Sequence, residues 1–134
     1  MIDVTLVPQE YVWRFWPKCK DMIRDAFRRG GIGSFSATQE AVLANKCQLW
    51  IAFTDKTIEA AAITELQLTE KEKVLAIHAL GGKDMKSWFH FKSKIEAFAK
   101  DEGCKSVHVT GRRGWERVLK DYRPFRVVLQ KAIA

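Results

Sequence analysis

Residues 74–110 read VLAIHALGGKDMKSWFHFKSKIEAFAKDEGCKSVHVT, and the period of their apolar positions changes at Gly81-Gly82. Before the glycines, residues 74–80 form a nearly unbroken apolar run of strand length, the signature of a buried strand. After them, Met85, Trp88, Phe91, Ile95, Phe98 and Ala99 recur at helical spacing, with Lys86, Lys94, Lys100 and Asp101 elsewhere. Gly103 then stands at the helix C-cap, and residues 106–110 resume a short strand.

Upstream, residues 48–54 are almost wholly apolar and stop at Asp55-Lys56. Ile58, Ala60, Ala62, Thr64, Leu66 and Leu68 then share one parity, while Glu59 and Glu65 share the other. With the charged run Glu70-Lys71-Glu72-Lys73 as the next turn, these strands and residues 74–80 predict a three-stranded antiparallel meander. Ile2, Val4 and Leu6 alternate with polar residues ahead of Pro8, predicting a first strand. Apolar positions from Val12 to Phe27 follow helical spacing, with Pro17 expected to kink that helix or to open its second part, and the glycines from Gly30 to end it. Ser36 and Gln39 have capping-box spacing ahead of a short helix over 37–45. Beyond Gly111-Arg112-Arg113-Gly114, a helix over 115–121 and a last strand over 125–129 complete the chain.

The chain has 134 residues, 47% of them hydrophobic, which suits a single domain over 1–134 that buries its own core. Its longest apolar run is far short of the ~20 residues that span a bilayer, and residues 1–8 lack the pattern of a signal peptide. A cytosolic or particle-bound protein is expected, not secreted and with no membrane partner. Cys19, Cys47 and Cys104 are an odd number at spacings of 28 and 57, fitting neither a disulfide framework nor a zinc motif, so buried free thiols and no metal are expected. The net charge of +7 lies wholly in the second half, where 15 basic residues face 8 acidic ones in 68–134. Residues 105–131 interleave Arg112, Arg113, Arg117, Lys120, Arg123 and Arg126 with Trp115, Tyr122 and Phe125. Such a segment can take nucleic-acid phosphates and stack bases, or can be a solvated face whose aromatics serve the core.

The order β-α-α-β-β-β-α-β-α-β, with a long helix leaving a central strand through a glycine-containing loop, resembles the GNAT superfamily of acetyl-CoA-dependent N-acetyltransferases. Leu49-Trp50-Ile51-Ala52-Phe53, the span from Val74 to Gly103-Cys104, and Gly111-Arg112-Arg113-Gly114-Trp115 carry the likeness. Leu80-Gly81-Gly82-Lys83-Asp84-Met85 together with Gly-Arg-Arg-Gly-Trp is also similar to small acetyltransferase-like proteins of tailed bacteriophages and prophages. The resemblance implies an α/β (α+β) fold, a mixed, mostly antiparallel twisted sheet flanked by helices. It also implies acetyl-CoA as acetyl donor, an amine as acceptor, and a pyrophosphate held by main-chain amides at the start of the long helix. Ala79, Leu80, Gly81, Gly82, Lys83, Lys86 and Ser87 are then the cofactor-binding residues. In the family's Arg/Gln-x-x-Gly-x-Gly/Ala loop, Lys83 takes the first position, but Lys86 and Trp88 stand where glycines belong. Trp88 is otherwise a core residue with Phe91 and Ile95. Tyr122, two residues past the position of the family's acid, is the candidate for protonating the leaving thiolate, and His78 on the central strand is the candidate base. Because the loop departs from the motif, the alternative function is a non-catalytic phage assembly or virion protein, docking other phage or virion proteins or nucleic acid through its basic C-terminal face.

Overall fold

The computed structural model describes residues 2–30, 33–82, 87–110, 115–127 and 129–133. Five strands form one sheet in chain order: β1 (Asp3–Leu6), β2 (Gln48–Phe53), β3 (Ile58–Leu68), β4 (Lys73–Gly82) and β5 (Ser106–Val109). The first three pairings are antiparallel and β4–β5 is parallel, so the sheet is mixed and mostly antiparallel, as the resemblance implies. Both turns of the meander are closed by a threonine. The Thr54 hydroxyl accepts from the Lys56 and Thr57 amides, and the Thr69 hydroxyl accepts from those of Lys71 and Glu72.

Helices cover both faces of the sheet. On one, α3 (Ser87–Asp101) brings Phe91, Ile95 and Ala99 against Ala60, Ala62, Leu75 and Ile77, and Leu119 joins them from just beyond α4 (Trp115–Val118). On the other, α1 (Val12–Gly30) and α2 (Phe35–Leu43) bring Trp16, Cys19, Ile23 and Val42 against Leu49, Ile51, Ala61, Ile63 and Ala79. A strand buried on both faces cannot alternate apolar with polar, which explains the fully buried run through residues 60–64 of β3. Thr64 is the polar member of that run; its hydroxyl accepts from Trp50 Nε1 at 3.0 Å and donates to Gln48 Oε1 at 2.9 Å.

Two helix ends set where strands begin. After α2, Asn45 takes φ 61° while the Lys46 amide reaches back to the Ala41 carbonyl and the Asn45 amide to Val42. After α3, Gly103 takes φ 81° while the Cys104 amide reaches Ala99 and the Gly103 amide reaches Lys100. Both are Schellman closures, the second at the glycine that the sequence marks.

Several expectations need correction. Ser34, not Ser36, caps α2, its Oγ accepting from the Ala37 amide at 3.2 Å, and the helix covers 35–43 rather than 37–45. Gln39 is not a capping residue: its Oε1 accepts from Trp16 Nε1 at 2.8 Å and ties α2 to α1. Pro17 does not divide α1, which runs on from its second turn to Gly30 at the cost of one missing amide bond. Strand β4 takes in Gly81 and Gly82 instead of stopping before them. Helix α4 ends at Val118, short of Asp121. The strand expected over 125–129 is absent among the described residues of that segment, where Phe125, Val127 and Leu129 are exposed. Cys19 and Cys47 are buried free thiols, but Cys104 is only partly buried. The side chain of Trp88, and Gly31 and Ile32, lie outside the described residues.

Gly81 lies directly beneath α1, where a Cβ would overlap the main-chain carbonyl of Met22. Gly81→Ala is expected to lower stability by about 1–3 kcal/mol, because the obstruction is backbone and cannot swing aside. An unchanged urea midpoint for this variant would show that α1 does not press on β4 there.

Candidate functional site

The pairing of β3 with β4 slips by one residue between Ile63 and Thr64. Ile63 faces Ala79 and Thr64 faces Ile77, so His78 is an extra residue with no partner of its own. The slip changes the parity of β4. Leu75 and Ile77 pack toward α3, and past the bulge Leu80 does so too, while Ala79 and Gly81 turn to α1. The parallel pairing of β4 to β5 stops beside the bulge, at Ile77 and Val109, and β4 continues through residues 78–82 beyond it.

His78 bonds across to β3. Its Nε2 lies 2.7 Å from Glu65 Oε1, and Gln67 Nε2 donates to the same oxygen at 3.1 Å. Partial burial pushes the Glu65 carboxyl up, but the hydrogen bonds from His78 and Gln67 and the charge of His78 outweigh it and hold the group below its ordinary value. An ionised carboxylate can only accept, so the Nε2 of His78 donates in this bond and Nδ1 is left on the far side of the ring. Cys47, just ahead of β2, completes the group. Its thiol, Glu65 and His78 have donor atoms within 4.8 Å of one another. Burial, reinforced by the Glu65 charge, pushes the Cys47 thiol up to about 11, so it is protonated at neutral pH.

Tyr122 lies past the end of α4 and packs on the α3 face. Its hydroxyl donates to Glu96 Oε2 at 2.7 Å, and burial, then the bond to Glu96, raise its pKa above the ordinary phenol value. The two residues predicted to be catalytic thus take different partners, His78 on Glu65 and Tyr122 on Glu96. Of the predicted cofactor residues, Ala79, Leu80, Gly81 and Gly82 form the end of β4 and Ser87 opens α3. Lys83 and Lys86 lie outside the described residues, as do Arg112 and Arg113 of the basic segment. In that segment Trp115 and Tyr122 pack against the core, and Phe125 lies 5.0 Å from the His108 ring. Sequence reasoning missed Glu65 and Cys47, because separations of 13 and 31 residues from His78 belong to no motif and only the strand register unites them. No helix is long and apolar enough to cross a membrane among the described residues. An open concavity of about 620 Å³ borders β1 and the β2–β3 turn, lined by Val7, Phe15 and Ile58, away from this cluster.

No family model and no curated protein matches the sequence. Solved structures do match the fold along its whole length. An aminoglycoside acetyltransferase from an uncultured soil metagenomic sample, in complex with sisomicin, superposes with TM-score 0.69 at 11% identity, covering 99% of this chain and 97% of that one. A GNAT family acetyltransferase from Staphylococcus aureus gives TM-score 0.66 at 12% identity and 98% of both chains. A predicted acetyltransferase from Clostridium acetobutylicum, solved with acetyl-CoA, gives 0.66 at 12% identity, with 98% and 96% covered. The chain therefore has the GNAT acetyltransferase fold.

The Glu65 carboxyl titrates below its ordinary 4.5 in the fold, so its pairing stabilises the protein fully above that pH and is lost as the pH falls through the lower folded value. Glu65→Gln is expected to flatten the dependence of Tm on pH below about 4.5 and to leave its slope near neutrality unchanged. Coincident acid limbs for variant and parent would mean that the Glu65–His78 bond does not persist in solution.

Proposed function

We propose that the chain is an acetyl-CoA-dependent N-acetyltransferase acting on an amine, with His78 as general base and Glu65 orienting it. The observation that carries this reading is the bulge: it puts a hydrogen-bonded His–Glu pair where β4 parts from its parallel neighbour. The end of β4 suits acetyl-CoA as a partner. Among the described residues, 78–82 run past the last pair with β5, so their main-chain groups on that edge can take a ligand carrying amides and a thioester. The small side of Ala79 and the start of α3 at Ser87 follow, and a helix N-terminus favours phosphate.

When bound, the thioester supplies an activated acetyl group. An amine attacking its carbonyl carbon forms the C–N bond and breaks C–S, and main-chain amides along β4 stabilise the oxyanion. Nδ1 of His78 takes the proton that the nitrogen loses, while Glu65 holds the Nε2 proton and stabilises the imidazolium. The thiolate leaves toward solvent and is protonated there. Tyr122 keeps its proton through burial and Glu96, and we assign it to fastening the segment after α4 to α3. The soil enzyme solved with sisomicin supports an amine as the acceptor class. The virion reading, and nucleic-acid binding through 105–131, gain no support from the fold.

Calorimetry with acetyl-CoA and a thiol-release assay over a panel of amines test the proposal. Acetyl-CoA is expected to bind, and replacing Lys83 and Lys86 together by Ala to weaken it. His78→Ala should lower kcat by roughly 10²–10⁴ with little change in acetyl-CoA affinity. Tyr122→Phe should lower Tm more than kcat. Absence of acetyl-CoA binding by the intact chain would overturn the reading.

A further inference from the structure

We propose that Cys47, Glu65 and His78 form a zinc site with three protein ligands and one position open to solvent. The three donor atoms, a sulfur, a carboxylate oxygen and an imidazole nitrogen, already lie within 4.8 Å of one another. Bond lengths of about 2.0–2.3 Å around a tetrahedral zinc put donors roughly 3.3–3.8 Å apart, so rotamer adjustments are enough to close on the ion. Each ligand stands on fixed backbone, as a metal site requires. Cys47 follows the Schellman closure of α2, its own amide bonded to the Ala41 carbonyl at 3.3 Å. Glu65 is paired in register with Ala76, and His78 is the bulge residue two positions on.

The donor set selects the ion. A thiolate with an imidazole and one carboxylate suits Zn²⁺ and disfavours Ca²⁺ or Mg²⁺, which want oxygen. Exposure is graded across the group: Cys47 is 5% exposed, whereas the side chains of Glu65 and His78 are 33% and 32% exposed. The cluster is thus closed behind sulfur and open ahead of the other two, leaving room for a water as fourth ligand. Gln67 already bonds Glu65 and would serve as its outer support.

On binding, the S–H bond of Cys47 breaks, sulfur bonds the metal and the proton goes to solvent. The ion takes Nε2 of His78, and the ring proton moves to Nδ1. Zinc therefore removes the lone pair that a base would use, so metal binding and acetyl transfer exclude each other; this consequence, unlike the site itself, rests on the function proposed above.

Cobalt(II) is the probe. The full chain, freed of metal by a chelator and kept reduced, is titrated with Co²⁺ and followed by absorbance. The site requires a thiolate-to-cobalt charge-transfer band with four-coordinate visible bands, saturating near one metal per chain and displaced by Zn²⁺. Cys47→Ser should abolish the charge-transfer band, and Glu65→Gln should weaken cobalt at least about 10-fold, since even outer-shell losses cost that much. Circular dichroism of both variants checks that they fold, and Glu65→Gln carries the test if Cys47→Ser does not. No band in the parent, or a band that survives Cys47→Ser and so comes from Cys19 or Cys104, overturns the site. If amine acetylation is found, Zn²⁺ should inhibit the parent and spare Cys47→Ser, and equal inhibition of both refutes the exclusion. A chain without transferase activity removes the proposed function, while the cobalt spectrum still decides the metal site.

Discussion

One extra residue in β4, His78, fixes the relation between the two cores. Because side chains alternate along a strand, inserting a residue exchanges the faces of everything that follows. Without the slip opposite Ile63 and Thr64, Leu80 would point at α1, and Gly81 would no longer be the residue under the Met22 carbonyl. With it, Leu80 rejoins Leu75 and Ile77 on the α3 side, and the two small residues, Ala79 and Gly81, lie where α1 comes closest. The packing of α1 and the exit of β4 toward α3 therefore share one cause.

The same irregularity has a chemical side. A regular ladder would give residue 78 a partner across β3 and an ordinary place on one face. The bulge re-aims it, and its imidazole meets Glu65 on the face where Leu49 and Ile63 pack. Cys47 arrives at the same place for a different reason, the left-handed turn at Asn45 that ends α2. Asparagine tolerates that conformation better than other residues with a Cβ, so the choice at position 45 bears on where sulfur is held. Glu65 is then kept ionised by its neighbours despite partial burial, and its charge adds to the burial that keeps the Cys47 thiol protonated.

Where periodicity is strong and the partner is covalently close, the sequence reads true. The switch from strand to helical period at Gly81 predicts β4 and α3, and Gly103 predicts the end of α3, because each depends on local backbone preference. Local chemistry misleads where two residues compete for one role. Ser34 and Ser36 are both suitable caps, and Gln39 fits the capping box, but Trp16 brings an indole donor that only the α1–α2 packing supplies. Alternation fails in another way at Phe125, Val127 and Leu129, which have strand period yet are exposed. A pattern records the capacity to pair and not the presence of a partner. The Cys47, Glu65 and His78 group was illegible for the same reason, since it depends on register across three elements.

Identities of 11–12% with proteins of the same fold show which features sequence divergence leaves alone. One fold can be met by many apolar sequences, so the likeness holds at such low identity. In the proposed reaction, the thioester is held by main-chain groups of β4, which any sequence that keeps the strand and its bulge will supply. In the same proposal the pyrophosphate depends on a loop in which Lys86 and Trp88 stand at the glycine positions of the motif that the sequence resembles. Departure from the loop motif therefore bears on affinity for the phosphates, through charge and access. The orientation of the acetyl group and the proton acceptor depend, in that proposal, on β4, and the two requirements can diverge independently.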